Sequence, residues 1–242
     1  MPIKENIAAV RARIDAAARR AGREPAEITL VAATKVQTSQ TIRQAIAAGI
    51  TVCGENRVQE MCAHLEDNAY AGASLHFIGH LQTNKVRQVV GRVDLLESVG
   101  SLKLLEAVER QAAKLELVQD LLLEVNIGGE LSKSGVSAQQ LPALVEQCMR
   151  FEHVRLRGLM AIPPVSATPR GNREFFAKMY QLYVDIRTAL GDNGRGVDCL
   201  SMGMSGDFED AIQEGATLVR VGTALFGPRP PLHTGGTVDK HQ

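Results

Sequence analysis

The sequence predicts an α/β fold of one kind, a single (β/α)8 TIM barrel preceded by an extra N-terminal helix. Three observations carry this expectation. Short, apolar, β-branched runs alternate with segments of helical period along nearly the whole chain. Eight such strand–helix steps in 242 residues fit a closed parallel barrel, which typically takes roughly 250 residues. An open doubly wound sheet is the alternative, but it lacks its glycine-rich first turn, because the first strand runs into Lys35-Val36-Gln37-Thr38.

Taken in order, an amphipathic Ala/Arg pattern over about residues 5–21 predicts the leading helix. Strands are expected at 28–34, 51–53, 75–78, 93–98, 120–125, 155–160, 197–200 and 217–221. Apolar residues at helical spacing place helices at 39–48, 58–66, 84–90, 102–114, 138–150, 173–190 and 207–214. Residues 163–172 read as a long loop after the sixth strand. No Gly/Ser/Pro linker interrupts the series, so residues 1–227 are expected to form one domain. Residues 228–242, with Pro-Arg-Pro-Pro and Gly235-Gly236 and little apolar content, are expected to be a disordered tail.

Lys plus Arg and Asp plus Glu number 27 each, so no net field favours nucleic acid or an anionic membrane. Cys53, Cys62, Cys148 and Cys199 have no CxxC spacing, which favours reduced thiols over disulfides or a zinc site. The start is polar and no apolar stretch is long enough to cross a bilayer. A cytoplasmic protein, with neither nucleic acid nor membrane as partner, is the expectation.

The chemistry-bearing residues gather at one end of the predicted strands, where barrels build their sites. Lys35 is the only charged residue for several positions on either side and ends an apolar, β-branched run. Burying an ammonium is costly, but burial lowers the amine's pKa and makes it a nucleophile for carbonyl compounds. The competing reading is a lysine that simply begins a loop. Ser201-Met-Gly-Met-Ser205-Gly206-Asp207 and Gly222-Thr223 offer hydroxyls and exposed backbone N–H groups after the last two strands. They fit either a phosphate cradle or ordinary turns capped by Asp207 or Thr223. Arg220, on a strand expected to be buried on both faces, needs an acceptor. That acceptor is either a carboxylate from a neighbouring strand or a ring nitrogen or oxyanion of a ligand. His76 and His80 have metal-like spacing, but the strand and Gly79 between them argue against a metal. His64 and His153 read as surface residues, and His233 and His241 fall in the tail. Glu55 reads either as a helix cap or as a site acid. The three tyrosines, Tyr70, Tyr180 and Tyr183, fall in or beside helices, remote from the strand tips.

These stretches together closely resemble a known family. The matching segments are Ala33-Thr34-Lys35, Gly54-Glu55-Asn56-Arg57-Val58-Gln59-Glu60 and His76-Phe77-Ile78-Gly79-His80-Leu81-Gln82-Thr83-Asn84-Lys85. Asn126-Ile127, Lys133-Ser134-Gly135 and Arg157-Gly158-Leu159-Met160-Ala161-Ile162-Pro163 follow, then Ser201-Met202-Gly203-Met204-Ser205 and Val219-Arg220-Val221-Gly222-Thr223-Ala224-Leu225-Phe226-Gly227. They span nearly the whole chain and resemble the small pyridoxal 5'-phosphate (PLP) homeostasis proteins, the YggS/PROSC or PLPHP family. His80 stands where many relatives have proline, and the tail is longer than in compact relatives. The resemblance implies a barrel like the N-terminal domain of alanine racemase and a role in vitamin B6 homeostasis. It implies that Lys35 forms the internal aldimine, Arg220 faces the pyridine nitrogen, and Asn56 lies beside the ring. Ser205, Gly222 and Thr223 would hold the phosphate with Ser201 close by. No residue is expected to be catalytic, PLP-dependent apo-enzymes are the expected recipients, and the expected state is a monomer. A weak PLP-dependent racemase-like enzyme is the alternative. A second is an aldolase-type barrel using Lys35 on a sugar phosphate.

Overall fold

A computed structural model describes residues 3–228 apart from 131, 132, 165, 167 and 169. Beyond Pro228, the expected tail, with His233 and His241, lies outside the described residues. Eight parallel strands close into a barrel in sequence order, and the last pairs with the first. They are β1 (Thr29–Ala33), β2 (Val52–Glu55), β3 (Ser74–Phe77), β4 (Leu95–Val99), β5 (Gln119–Val125), β6 (Val154–Ala161), β7 (Cys199–Ser201) and β8 (Leu218–Val221). The helices are α1 (Ile3–Arg20), α2 (Ser39–Ala47), α3 (Val58–Glu66), α4 (Leu102–Lys114), α5 (Leu141–Arg150), α6 (Arg173–Leu190), α7 (Phe208–Gln213) and α8 (Thr223–Phe226).

Alternation along the strands builds two cores. Leu30, Ala32, Cys53, Leu75, Phe77, Leu96, Leu121 and Leu123 pack outward against the helices. Val31, Ala33, Val52, Leu95, Leu122, Met160 and Leu218 form a separate cluster inside the barrel. A period of two on a sheet buried on both faces requires this split. α1 is joined to the far end of the chain. Asn6 Nδ2 donates to Leu225 O at 2.8 Å, and Arg13 pairs with Glu209 at 3.1 Å while its guanidinium lies 4.5 Å from the Phe208 ring centroid.

Two helices depart from expectation. α5 begins at Leu141 rather than 138, since Pro142 lacks an N–H and is tolerated only in a first turn. Between β3 and β4 a 3-10 helix (Thr83–Gln88) stands where an α-helix over 84–90 was expected. Val86, Val89 and Val90 are poor helix formers, and Gly91 turns the chain with φ of 78°. Among the described residues no helix is long and apolar enough to cross a membrane, and no cluster of three or more His, Cys, Asp or Glu could hold a metal ion. All four cysteines are free thiols.

One irregularity sets the register of the functional end. Leu121 pairs with Leu156 but Leu122 pairs with Gly158, so β6 carries one extra residue, a β-bulge. Gly158 has φ of 152°, and a Cβ there would lie 1.7 Å from the Cys199 carbonyl oxygen. Beyond the bulge Met160 aligns with Ser201. Replacement of Gly158 by alanine should therefore cost about 3 kcal/mol, through backbone strain and the clash with β7. Urea denaturation measures this, and a loss below about 0.5 kcal/mol would mean the bulge relaxes freely.

Candidate functional site

Lys35 lies just past β1, on a turn at the carboxyl end of the barrel. The preceding Thr34 is fully buried, and its hydroxyl donates to Glu55 Oε1 at 2.6 Å. The Tyr70 hydroxyl donates to the same oxygen at 2.8 Å, and His64 Nδ1 lies 3.1 Å from it. His64 Nε2 lies 3.0 Å from the Gln37 carbonyl, which can only accept, so that nitrogen carries a proton. Burial and the Glu55 charge push the Tyr70 phenol up. Glu55 is thus neither cap nor site acid: it is the hub of a buried network that supports the Lys35 turn from behind. This corrects two expectations. His64 is buried rather than at the surface, and Tyr70 reaches the end of β2 rather than standing remote from the strand tips. Both follow from α3 packing on β2, which turns the His64 face of the helix inward.

A second network fills the barrel interior. Arg220, 4% exposed, donates through Nη2 to the Ala161 carbonyl at 2.9 Å and through Nη1 to the Ser201 hydroxyl. Ser201 Oγ donates in turn to Glu97 Oε2 at 2.6 Å, and His76 Nδ1 lies 2.7 Å from Glu97 Oε1. The Arg220–Glu97 ion pair spans 3.9 Å from β8 to β4, across the barrel rather than between adjacent strands. Burial works to raise the Glu97 carboxyl, but His76, the Arg220 charge and Ser201 outweigh it and hold the group below the usual carboxylate range. Burial pushes the Arg220 guanidinium down, against the pull of Glu97, Glu124 and Asp207. His76 is therefore committed inside the barrel while His80 is exposed, and the two share no face.

Between these networks lies a cavity of about 230 Å³. Lys35, Asn56, Ser205, Arg220, Gly222 and Thr223 line it, with Ile78, Ile162 and Met204 as apolar wall. Six of the seven residues singled out in the sequence thus converge on one space. The seventh, Ser201, lies beneath it and holds Arg220. Backbone N–H groups of Gly222 and Ala224 converge on Ser205 Oγ at 3.2 and 3.4 Å. Asn56 Oδ1 is buried without a partner among the described residues. Gly79 sets its place: a Cβ there would come within 2.0 Å of the Asn56 carbonyl oxygen, so only glycine lets the two loops touch. Glu97, Thr34 and Met204 were not singled out. Glu97 carried the same signal as Lys35 and Arg220, a lone charge in an apolar strand.

A wider recess of about 570 Å³ opens beside the cavity, over the ends of β3 to β5, lined among others by His80, Ser98 and Glu124. Burial raises the Glu124 carboxyl, against the Ser134 hydroxyl that donates to it at 2.8 Å.

Comparison with known proteins agrees with this architecture. Residues 6–230 match the family model for the alanine racemase N-terminal domain. The pyridoxal phosphate homeostasis protein of Pseudomonas aeruginosa is 42% identical over 227 residues, 94% of this chain and 96% of that protein. Its counterpart in Aquifex aeolicus is 41% identical over 225 residues, 93% of this chain and 97% of that one. PipY of Synechococcus elongatus, solved with PLP bound, is 33% identical with a TM-score of 0.80, over 93% of this chain and 100% of that one. An alanine racemase of Clostridium difficile shares the fold alone, with a TM-score of 0.72 at 13% identity over 95% of this chain and 57% of the racemase. The chain therefore belongs to the alanine racemase N-terminal domain family and, within it, to the pyridoxal phosphate homeostasis proteins.

Proposed function

We propose that this protein binds pyridoxal 5'-phosphate, holds its aldehyde as an imine on Lys35, and acts in intracellular PLP homeostasis with little or no catalysis. One observation carries the reading: a primary amine, a buried guanidinium and a cradle of hydroxyl and N–H donors meet on a single cavity. These three chemistries match the aldehyde, ring nitrogen and phosphate of one molecule. The two most similar relatives named above are called pyridoxal phosphate homeostasis proteins, and PipY was solved with PLP.

The residues fit the cofactor. Ser205, Gly222 and Thr223 would hold the phosphate, by hydroxyls and N–H groups that favour anions. Arg220 would face the pyridine nitrogen, and Ser201 keeps the guanidinium in place. Asn56 would lie beside the ring, where its unpartnered Oδ1 is an acceptor for a ring hydroxyl. Bound PLP supplies an aldehyde that condenses with an amine with loss of water, and, when its ring nitrogen is protonated, an electron sink. A cationic guanidinium against that nitrogen disfavours its protonation, which weakens the sink and suits a carrier. Among the described residues no tyrosine lines the cavity to serve as a second acid or base. Delivery to PLP-dependent apo-enzymes, a cytoplasmic location and a monomeric state complete the proposal.

Borohydride treatment of the protein with PLP should leave one pyridoxyl-phosphate adduct, on the peptide containing Lys35. Lys35→Ala should lose the adduct yet retain weak, non-covalent PLP. Adducts spread over surface lysines, or unchanged trapping in the variant, would remove Lys35 from its role.

Arg220→Gln should cost about 3 kcal/mol, because Glu97 loses its countercharge inside the barrel. Adding Glu97→Gln should restore most of that stability but not the absorption band of bound PLP or its affinity. A double variant with the wild-type band and affinity would make Arg220 a structural ion-pair partner only.

A further inference from the structure

Lys35 does not stand on a relaxed strand end. It is the second residue of a four-residue turn closed by the Gln37 N–H, which donates to Thr34 O at 3.0 Å. The third residue, Val36, has φ of 59°. A turn that needs positive φ at its third position normally takes glycine or asparagine there, and a β-branched residue is the costliest choice. Core packing does not account for the valine, which is 49% exposed.

The turn is held from outside, by one stretch of chain. Thr34 Oγ1 donates to Glu55, and the Gln37 carbonyl accepts from His64 Nε2. Between them, the Val36 N–H donates to Glu60 Oε2 at 2.9 Å. Glu60 lies in the first turn of α3, and its other oxygen accepts from Arg57 Nη1 at 3.1 Å. Arg57 is largely exposed, and an exposed ion pair contributes little. The bond to Val36 is of another kind, since it satisfies the N–H of a strained backbone unit adjoining the Lys35 amine, and any well-placed side-chain oxygen can accept it.

We propose that Glu60 is a positioning residue that holds the Lys35–Val36 turn in its left-handed form. It thereby fixes where the Lys35 amine stands and how long a carbonyl compound bound to it is retained. The part concerning retention rests on the PLP reading above; the part concerning the turn does not. Glycine adopts positive φ without steric cost, so the need for Glu60 arises from the valine beside it.

The experiment has two arms. In the protein without PLP, hydrogen exchange at the Val36 amide, followed by NMR, should be about tenfold faster in Glu60→Ala. Glu60→Gln, whose amide oxygen still accepts, should stay within about threefold of wild type. In the loaded protein, release of PLP to excess scavenging amine should be about fivefold faster in Glu60→Ala, and the visible circular dichroism of the bound chromophore should weaken. The melting temperature should move by less than about 3 °C. In a Val36→Gly background, Glu60→Ala should lose most of its effect on release. Unchanged exchange in Glu60→Ala would overturn the proposal, as would equal defects in Glu60→Ala and Glu60→Gln, which would point to charge at the start of α3. Release within twofold of wild type, or an undiminished effect in the glycine background, would also overturn it. A wild-type protein that takes up no PLP would defeat the cofactor reading instead, and the exchange arm would still decide the role of Glu60 in the turn.

Discussion

A guanidinium enclosed in a barrel must have its charge answered from within, and the interior of this protein is arranged around that requirement. Arg220 is met by a carbonyl from β6, a hydroxyl from β7 and a carboxylate from β4 that is itself held by a histidine from β3. Four strands besides its own are thereby tied to one side chain. Such a network is seldom worth more to stability than apolar residues of the same volume, so stability alone does not explain it. What it does supply is a fixed cation in the cavity wall, aligned before any ligand arrives. Alignment in advance lowers the reorganisation that binding requires.

The two networks divide the labour around the cavity. The interior one fixes a charge that cannot move without disturbing the barrel. The outer one, built on Glu55, Glu60 and His64, governs a turn at the surface, and its partners are drawn from a short stretch of chain. A cation fixed by the barrel interior and an amine carried on a surface turn thus face one cavity from two separately held supports.

Much of this was legible in the sequence, and for identifiable reasons. The barrel followed from the alternation of apolar runs and helical spacing, which is a local signal. Lys35 and Arg220 stood out because a charge inside an apolar run needs a reason, and the Ser/Gly stretches after β7 and β8 marked residues that line one wall of the cavity. The rest depended on distance. Ser201 and Glu97 lie 104 residues apart, and nothing near either one announces the other. His64 and Tyr70 looked ordinary because the direction in which a helix face points is decided by what it packs on. The start of α5 was missed although Pro142 marked it, and the 3-10 segment after β3 was missed because weak helix formers there pass for a short helix.

The closure of the barrel has a consequence for how the protein is made. The cavity is walled by residues after β1 on one side and after β8 on the other, and α1 bonds to α8 across 219 positions of sequence. During synthesis from the ribosome, the first strand and leading helix must therefore wait, with an unpaired edge, until almost all the described chain has emerged. Nascent chains would present a hydrogen-bonding edge open to wrong partners, and such long-range pairing forms slowly. A chain that has not yet reached β8 lacks Arg220, Gly222 and Thr223, and with them one wall of the cavity.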